Sequence, residues 1–305
     1  MWFKNLLIYQ FTKPFTLTLD ELSDKLAERP FVPCNSQDPS SRGWVAPIGD
    51  ENSPLVHSAN GYGMLCLQRQ DKVLPAAVVN EFLDDKIADI RDREERIPGR
   101  KERVELKEQI TFELLPRAFT RSSRLYAYLA PREGLLVINA SAYGRAEELM
   151  NLLRETLGTL PVLPVKSAEE PSAAMTRWLL NGPTPNNFEI GGECELRDSR
   201  DESSVIRCKN QALDSEEIRN HLEAGMRVTR LALKWQGDIE FLVDEKLAIK
   251  RLRFGDLILD KISDIHTESA VEQFDADFAI MTGEFAQLIP ALVDAFGGPS
   301  DPTTT

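Results

Sequence analysis

Histidine and cysteine are scarce in this chain, three of the first and four of the second in 305 residues. The histidines, His57, His221 and His266, lie far apart, and no H-x-x-x-H spacing places two on one helix face. Each reads as a surface or hydrogen-bonded residue without catalytic partners. The cysteines, Cys34, Cys66, Cys194 and Cys208, contain no C-x-x-C pair. That argues against a zinc site or a disulfide framework and fits a reducing cytoplasm. No cofactor or metal is expected. The chain has neither G-x-x-x-x-G-K-[ST] nor G-x-G-x-x-G, so a nucleotide-driven motor is not expected. It also lacks the G-x-S-x-G elbow of serine hydrolases. Uninterrupted apolar runs fall short of the ~20 residues that cross a bilayer, so no membrane partner is expected. The opening MWFKNLLIYQF is apolar but broken by Lys4, Asn5 and Gln10, and reads as a first strand and not as a signal peptide.

Basic residues are nearly missing from one end. Gly255–Thr305 holds ten acids and one base, Lys261, and accounts for most of the net charge of -13. Elsewhere the charges almost balance, and several basic stretches stand clear of acids. Leu114–Arg124 carries Arg117, Arg121 and Arg124. Ala224–Gly237 carries Arg227, Arg230 and Lys234. Lys246–Arg253 carries Lys246, Lys250, Arg251 and Arg253. An acidic chain with concentrated basic faces is a poor indiscriminate polyanion binder but suits one specific polyanion surface.

The order of elements predicts an α+β protein with sheet-based halves. Residues 3–11 read as a strand. Thr18 opens a helix through a capping box with Glu21, and that helix stops before Pro30. A long Pro, Ser, Asp and Gly-rich loop covers 33–60, and YGMLCLQRQDKVLP reads as a hairpin. Helical spacing runs over about 76–96 and 101–115, interrupted by IPGR, which makes a paired-helix arm. Strand, turn at Pro131–Gly134, strand and a helix ended by Gly158 follow. Near the C-terminus DIEFLVDEKLAIKRLRF reads as a hairpin, and DADFAIMTGEFAQLIPALVDAFGG as a strand and then a helix. The recurrence suggests a duplicated strand-hairpin-helix unit. The linker 160–171 divides an N-terminal half, 1–165 with the arm at 76–118, from a C-terminal half, 166–296 with a projecting hairpin at 187–211. Residues 297–305 read as a disordered tail.

Within these elements the candidate phosphate contacts are Arg96, Arg100, Lys101 and Arg103 around the arm's break, although alternating charge on a helix pair is commonly a solvated face. Arg117, Arg121 and Arg124 form a second candidate group. Arg227, Arg230 and Lys234 form a third. Strict strand alternation over RVTRLALKW pairs Arg227 with Leu231 on one face and Arg230 with Lys234 on the other. Trp235 reads as core in preference to a stacking platform for bases. Asp238, Asp244 and Lys246 are the one set that mimics a metal-dependent nuclease, against the simpler reading of a charged hairpin tip. Phe119, an apolar ring between Arg117 and Arg121, suits neither a core nor a solvated helix.

MWFKNLLIYQF, FVPCNSQDPSSRGWVAP (31–47), LLPRAFTRSS (114–123), HLEAGMRVTRLALKWQ (221–236) and QFDADFAIMTGEFAQLIPAL (273–292) occur in this order over nearly the whole chain. Together they resemble the RdgC family of recombination-associated proteins of proteobacteria. The resemblance implies a DNA-binding protein without marked sequence preference. It further implies a ring-forming homodimer that encircles duplex DNA, and antagonism of RecA-type recombinases through DNA access. Phe119 matches the family's dimer-interface phenylalanine, whose ring a partner's pocket would receive. RCKNQ matches its projecting finger, at Arg207, Lys209, Asn210 and Gln211, with Asn210 where a relative carries lysine. The expectation is thus a non-enzymatic, nucleoid-associated protein whose partners are duplex DNA, single-stranded DNA in addition, and a second copy of itself. The alternatives are a metal-dependent nuclease or other DNA-processing enzyme, and a protein that binds the recombinase directly.

Overall fold

A computed structural model describes residues 2–50, 53–185, 187–201, 203–263 and 269–300. His266 and residues 301–305 of the expected tail lie outside the described residues.

The first sheet is antiparallel throughout. It contains β1 (Leu7–Phe11), β2 (Ser40–Val45), β3 (Val56–Ala59), β4 (Tyr62–Val73), β5 (Phe119–Ala130), β6 (Leu135–Ile138) and β7 (Val162–Pro164), in the order β2-β4-β5-β6-β1-β7, with β3 beside the first residues of β4. The expected hairpin at 62–75 is instead one 12-residue strand, β4. Its polar second half resembles a turn in sequence but pairs with β5 without a break, from Gly63 opposite Leu129 to Val73 opposite Phe119. Beyond that last pair the chain leaves the sheet as the arm, α2 (Ala76–Glu94) and α3 (Arg100–Leu114), and returns through a short 3₁₀ turn at Leu115–Arg117.

Helices α1 (Leu19–Leu26) and α4 (Tyr143–Leu157) cover one face of this sheet. Leu22, Leu26, Leu149 and Leu153 pack there with Leu7, Leu65, Leu67 and Leu129. Thr18 caps α1 as expected: its hydroxyl accepts from the Glu21 amide at 3.2 Å, and Glu21 accepts from the Thr18 amide at 2.8 Å. Gly158 ends α4 at φ 79°, a left-handed position that glycine adopts without steric cost.

The second sheet is antiparallel, in the order β12-β11-β10-β8-β9. Its strands are β8 (Phe188–Asp198), β9 (Val205–Lys209), β10 (Met226–Trp235), β11 (Ile239–Asp244) and β12 (Ile249–Phe254). The expected projecting hairpin is β8–β9, at the sheet's edge. Helices α5 (Pro171–Asn181) and α6 (Glu216–Glu223) contribute Met175, Trp178, Ile218 and Leu222 to an apolar cluster with Leu231, Leu233, Trp235, Phe241 and Val243. Trp235 is 2 % exposed, a core residue.

After α7 (Asp256–Ser263) comes α8 (Ala270–Ala295). The strand expected at its start is helix throughout. Its buried residues, Phe278, Met281, Phe285, Leu288 and Leu292, recur at three- and four-residue spacing on one face, a helical period that begins within the stretch read as a strand. Phe278, Met281 and Phe285 join Phe3, ahead of β1, and Met64 and Tyr128 of the first sheet in the same cluster that holds the second sheet. Length and composition alone would let α8 cross a membrane, but Phe278, Met281, Phe285 and Leu288 are each 0 % exposed inside the protein. Residues 297–300, expected as tail, are held in place: the Ala168 amide donates to the Gly298 carbonyl at 2.9 Å and the Ser300 amide to Lys166 at 3.2 Å.

Candidate nucleic-acid interface

With one face of the second sheet packed on helices, strand alternation sends the remaining side chains to the other. Cross-strand register assigns them. Arg207 and Lys209 of β9 stand opposite Glu195 and Glu193 of β8. Arg227, Arg230 and Lys234 of β10 stand opposite Arg197, Glu195 and Glu189. Asp244 and Glu240 of β11 face Arg230 and Lys234, and Lys250 and Arg253 of β12 complete the row. This open face therefore carries a majority of basic side chains in a protein whose net charge is -13.

Arg227, Arg230 and Lys234 share this face, contrary to the alternation expected from sequence. A bulge in β10 is the reason: Val228 pairs with Leu196 and Arg230 with Glu195, which leaves Thr229 as the extra residue. The register between β10 and β11 is then unbroken from Arg230 to Trp235.

Glu195, 4 % exposed, is the hub of the face. Arg207 Nε donates to its Oε2 at 2.8 Å, Arg230 Nη1 donates to the same oxygen at 3.3 Å, and Arg197 Nη2 lies 3.5 Å from Oε1. Burial pushes the Glu195 carboxyl up, but the hydrogen bond from Arg207 and the charges of Arg230, Arg207 and Arg197 together bring it below its ordinary value. One carboxylate among three guanidinium groups leaves surplus positive charge. Arg207 and Arg230 remain 66 % and 42 % exposed at the side chain, so their outward edges are open to a ligand. Planar guanidinium groups held this way suit phosphate oxygens.

A shallow groove of about 410 Å³ lies on this face beside the glycine pair of β8. A Cβ at Gly191 would come within 2.9 Å of Ala232 Cβ, so only glycine permits this approach of β8 to β10. Lys209, Lys234, Arg251 and Arg253 line the groove with Glu193 and Glu240. Lys234 pairs with Glu240 at 3.7 Å, and Arg251 with Glu193. Lys209 and Arg253 make no ion pair among the described residues. Gln211 follows β9 and donates its amide to the Gly192 carbonyl at 3.3 Å, but it lines a separate cavity with Trp178, Leu213 and Arg219, away from this groove.

Sequence reasoning marked Lys250, Arg251 and Arg253 as a basic stretch without choosing them as contacts, and it missed Arg197 as a member of this face and Glu195 as its organiser. The alternation E-x-E-x-R over Glu193, Glu195 and Arg197 was the available signal.

The other candidates are placed elsewhere. Arg96 is already satisfied by a fork to Glu102, at 2.7 and 2.8 Å, and by Glu94 at 2.7 Å. Arg103 Nε donates to the Pro98 carbonyl at 3.1 Å. Both fasten the turn between α2 and α3. Lys101 is 93 % exposed and lies 3.9 Å from Glu105, and Arg100 is exposed at the start of α3. Arg117 sits in the 3₁₀ turn. Arg121 and Arg124 lie three positions apart on β5 and so project to opposite faces of the first sheet, with Arg124 donating to Gln68 at 3.0 Å. Those three arginines do not make one surface.

Asp238, Asp244 and Lys246 do not form a metal site. Asp238 precedes β11 and Asp244 ends it, so at ~3.3 Å per residue their backbones are roughly 20 Å apart. Asp238 accepts from the Ile258 amide at 3.1 Å, and Asp244 accepts from the Lys246 and Ala248 amides at 3.0 Å each and pairs with Lys250 at 2.9 Å. Lys246 instead lies over the Tyr143 ring, 5.2 Å from its centre. Among the described residues no group of three His, Cys, Asp or Glu side chains is placed to hold a metal. His57 is hydrogen-bonded to Asp275 at 3.1 Å and packed against Phe274, the ordinary role expected for it.

A larger cleft, about 950 Å³, opens between β1, α4 and the β11–β12 turn. Its Lys166 and Lys246 are interspersed with Glu147, Glu169, Glu170 and Glu245, so it presents no positive surface to a polyanion.

Phe119 is 86 % exposed and stands opposite Val73, itself 45 % exposed, at the root of the arm. Phe82, Ile97, Val104 and Phe112 of the arm are exposed as well.

Comparison with known proteins places this geometry in context. The family model described as "Putative exonuclease, RdgC" matches residues 1–299. Three curated relatives each carry the name recombination-associated protein RdgC. That of Aeromonas hydrophila is 44% identical over 98% of both chains. That of Psychromonas ingrahamii is 43% identical over 98% of this chain and 99% of its own. That of Pseudomonas syringae pv. tomato is 41% identical over 99% of each.

Proposed function

The chain belongs to the RdgC family, and on that premise we propose that it is a sequence-nonspecific DNA-binding protein. In this reading it encircles or coats DNA as a homodimer and limits the access of RecA-type recombinases, without catalysing a reaction. The observation that carries the reading is the open face of β8–β12, where Arg207, Arg230 and Arg197 gather around the buried Glu195 and Arg227 and Lys234 extend the same basic row. Lysines and arginines on such a face replace counterions along phosphates, which gives salt-sensitive and sequence-tolerant binding. No base-reading helix is required. A protein held to DNA in this way sits with the nucleoid in the cytoplasm.

The exposed Phe119–Val73 pair supports a second copy as the partner. A large aromatic left in water is costly alone and becomes an anchor when another surface receives it. A two-fold contact presents the same patch twice.

The family description favours one other reading, an exonuclease. The separation of Asp238 from Asp244, and their use as turn and helix caps, weighs against these residues as its centre.

The test is binding to linear and closed circular DNA of one sequence, with the protein's mass measured in solution. The expected result is a mass twice that of the chain, binding to both DNAs at low salt, and longer retention on the closed circle, from which a ring cannot slide. A monomer that binds neither DNA would overturn the proposal.

A further inference from the structure

We propose that Cys194 and Cys208 form a reversible disulfide across β8 and β9, taken up from a low-molecular-weight disulfide. This inference goes beyond the DNA-binding reading and does not depend on it.

The two residues are direct partners in the antiparallel register, so both side chains leave the sheet on the same side. That side is the core: Cys194 belongs to the apolar cluster and Cys208 packs against it. Opposed residues of antiparallel strands have Cα atoms about 4.5–5.5 Å apart, inside the roughly 4.4–6.8 Å that a disulfide spans. The register therefore puts the pair within disulfide reach. The other two cysteines lack this relationship. Cys34 donates to the Gln70 carbonyl at 3.3 Å, and Cys66 stands opposite Val45 and Tyr126.

Accessibility sets the order of events. Cys194 is 1 % exposed, whereas Cys208 is half-buried on the edge strand. Burial, and then the neighbouring Cys208, push the Cys194 thiol up to about 12, which suits it to the second step and not the first. In the first step the Cys208 thiolate attacks one sulfur of the small disulfide. That S–S bond breaks and one small thiolate leaves with its electron pair. In the second step Cys194 loses its proton and attacks the Cys208 sulfur of the mixed disulfide, and the second small thiolate leaves. The protein's two thiols are oxidised by two electrons, the small disulfide is reduced to two thiols, and the two protons end on those thiols. The product fastens the edge strand β9 to β8. Arg207 and Lys209, on either side of Cys208, are then fixed on the opposite face.

The experiment treats the full chain with oxidised glutathione or with dithiothreitol, quenches in acid, denatures, alkylates and maps peptides by mass. Expected are four alkylated cysteines after dithiothreitol, and two after oxidation, with Cys194 and Cys208 recovered as one linked pair. In Cys208→Ser the linked pair is absent and Cys194 is alkylated after denaturation. Hydrogen exchange of the β9 amides in the oxidised parent slows by tenfold or more. Four alkylated cysteines after oxidation, glutathione retained on Cys208 with Cys194 free, or a link to Cys34 or Cys66 would each overturn the proposal. Unchanged exchange in β9 would overturn the fastening.

Discussion

Arg227 and Arg230 stand on one face of β10 although three positions separate them, because the bulge at Thr229 absorbs the odd residue. The Thr229 hydroxyl lies 3.3 Å from the Glu195 carbonyl, and its own carbonyl accepts from the Glu245 amide at 3.1 Å. The extra residue is thus satisfied on both sides of the strand. A regular strand would have turned Arg227 toward the core side, where Val228 and Leu231 are each 0 % exposed. The bulge converts a sequence with split charges into a single basic row.

The Glu195 hub predicts a specific acid sensitivity. Its folded-state value lies below the ordinary glutamate value of 4.5. The stabilisation it supplies is therefore complete above that ordinary value and is lost as pH falls through the folded value. Glu195→Gln should cost about 1–2 kcal/mol at neutral pH, the low side of charge-assisted hydrogen bonding, because the arginines are open to water. Denaturant unfolding between pH 7 and 3 should show the parent losing more stability than the variant below about pH 4.5. Parallel curves would show that Glu195 is not held in the charged state by its arginines.

Phe119→Ala should weaken the dimer and spare the subunit. The ring is 86 % exposed within one chain, so its removal leaves no cavity in the fold. Truncating an aromatic anchor at an interface costs on the order of 2–4 kcal/mol. Sedimentation should show dissociation at concentrations where the parent is paired, with an unchanged far-ultraviolet spectrum. A variant with the parent's mass and melting profile places Phe119 outside the interface.

Asp244→Ala should reduce stability by about 1–3 kcal/mol, since it strips two amides and Lys250 of their acceptor. It should not abolish a cleavage activity. Incubating parent and variant with end-labelled DNA and Mg²⁺ should release no nucleotides from either. Release by the parent that the variant lacks would restore the nuclease reading.

Inhibition of strand exchange should follow DNA occupancy. It should scale with protein per nucleotide, fade with competitor DNA, and fail against a recombinase filament assembled first. Inhibition that survives excess competitor DNA would favour direct contact with the recombinase.

Local signals carried most of the first half of the fold. The Thr18–Glu21 box, the IPGR break and Gly158 each act within a few residues, so their physics is visible in a short window. Long-range context decided the rest. Gln68–Lys72 looks like a turn until β5 is known to pair with it residue for residue, and the start of α8 looks like a strand until the spacing of Phe278, Met281 and Phe285 is followed along the helix. The basic stretch at 227–234 was visible, but its single-faced arrangement depends on a bulge that no residue count reveals. Arg96 was selected for its charge, which Glu102 and Glu94 already neutralise across a turn. Phe119 stands out in sequence and in the fold for the same reason: among the described residues nothing covers its ring, which is 86 % exposed.

The most direct test of the central claim is the salt dependence of DNA affinity in the triple variant Arg227→Ala, Arg230→Ala, Lys234→Ala. The parent's log affinity should fall linearly with log salt, and each phosphate contact removed should lower the slope by about 1. The account predicts weaker binding to every sequence tried, with the slope reduced by up to about 3. A slope and affinity equal to the parent's would contradict it, because the open face of β8–β12 would then not be where the phosphates lie.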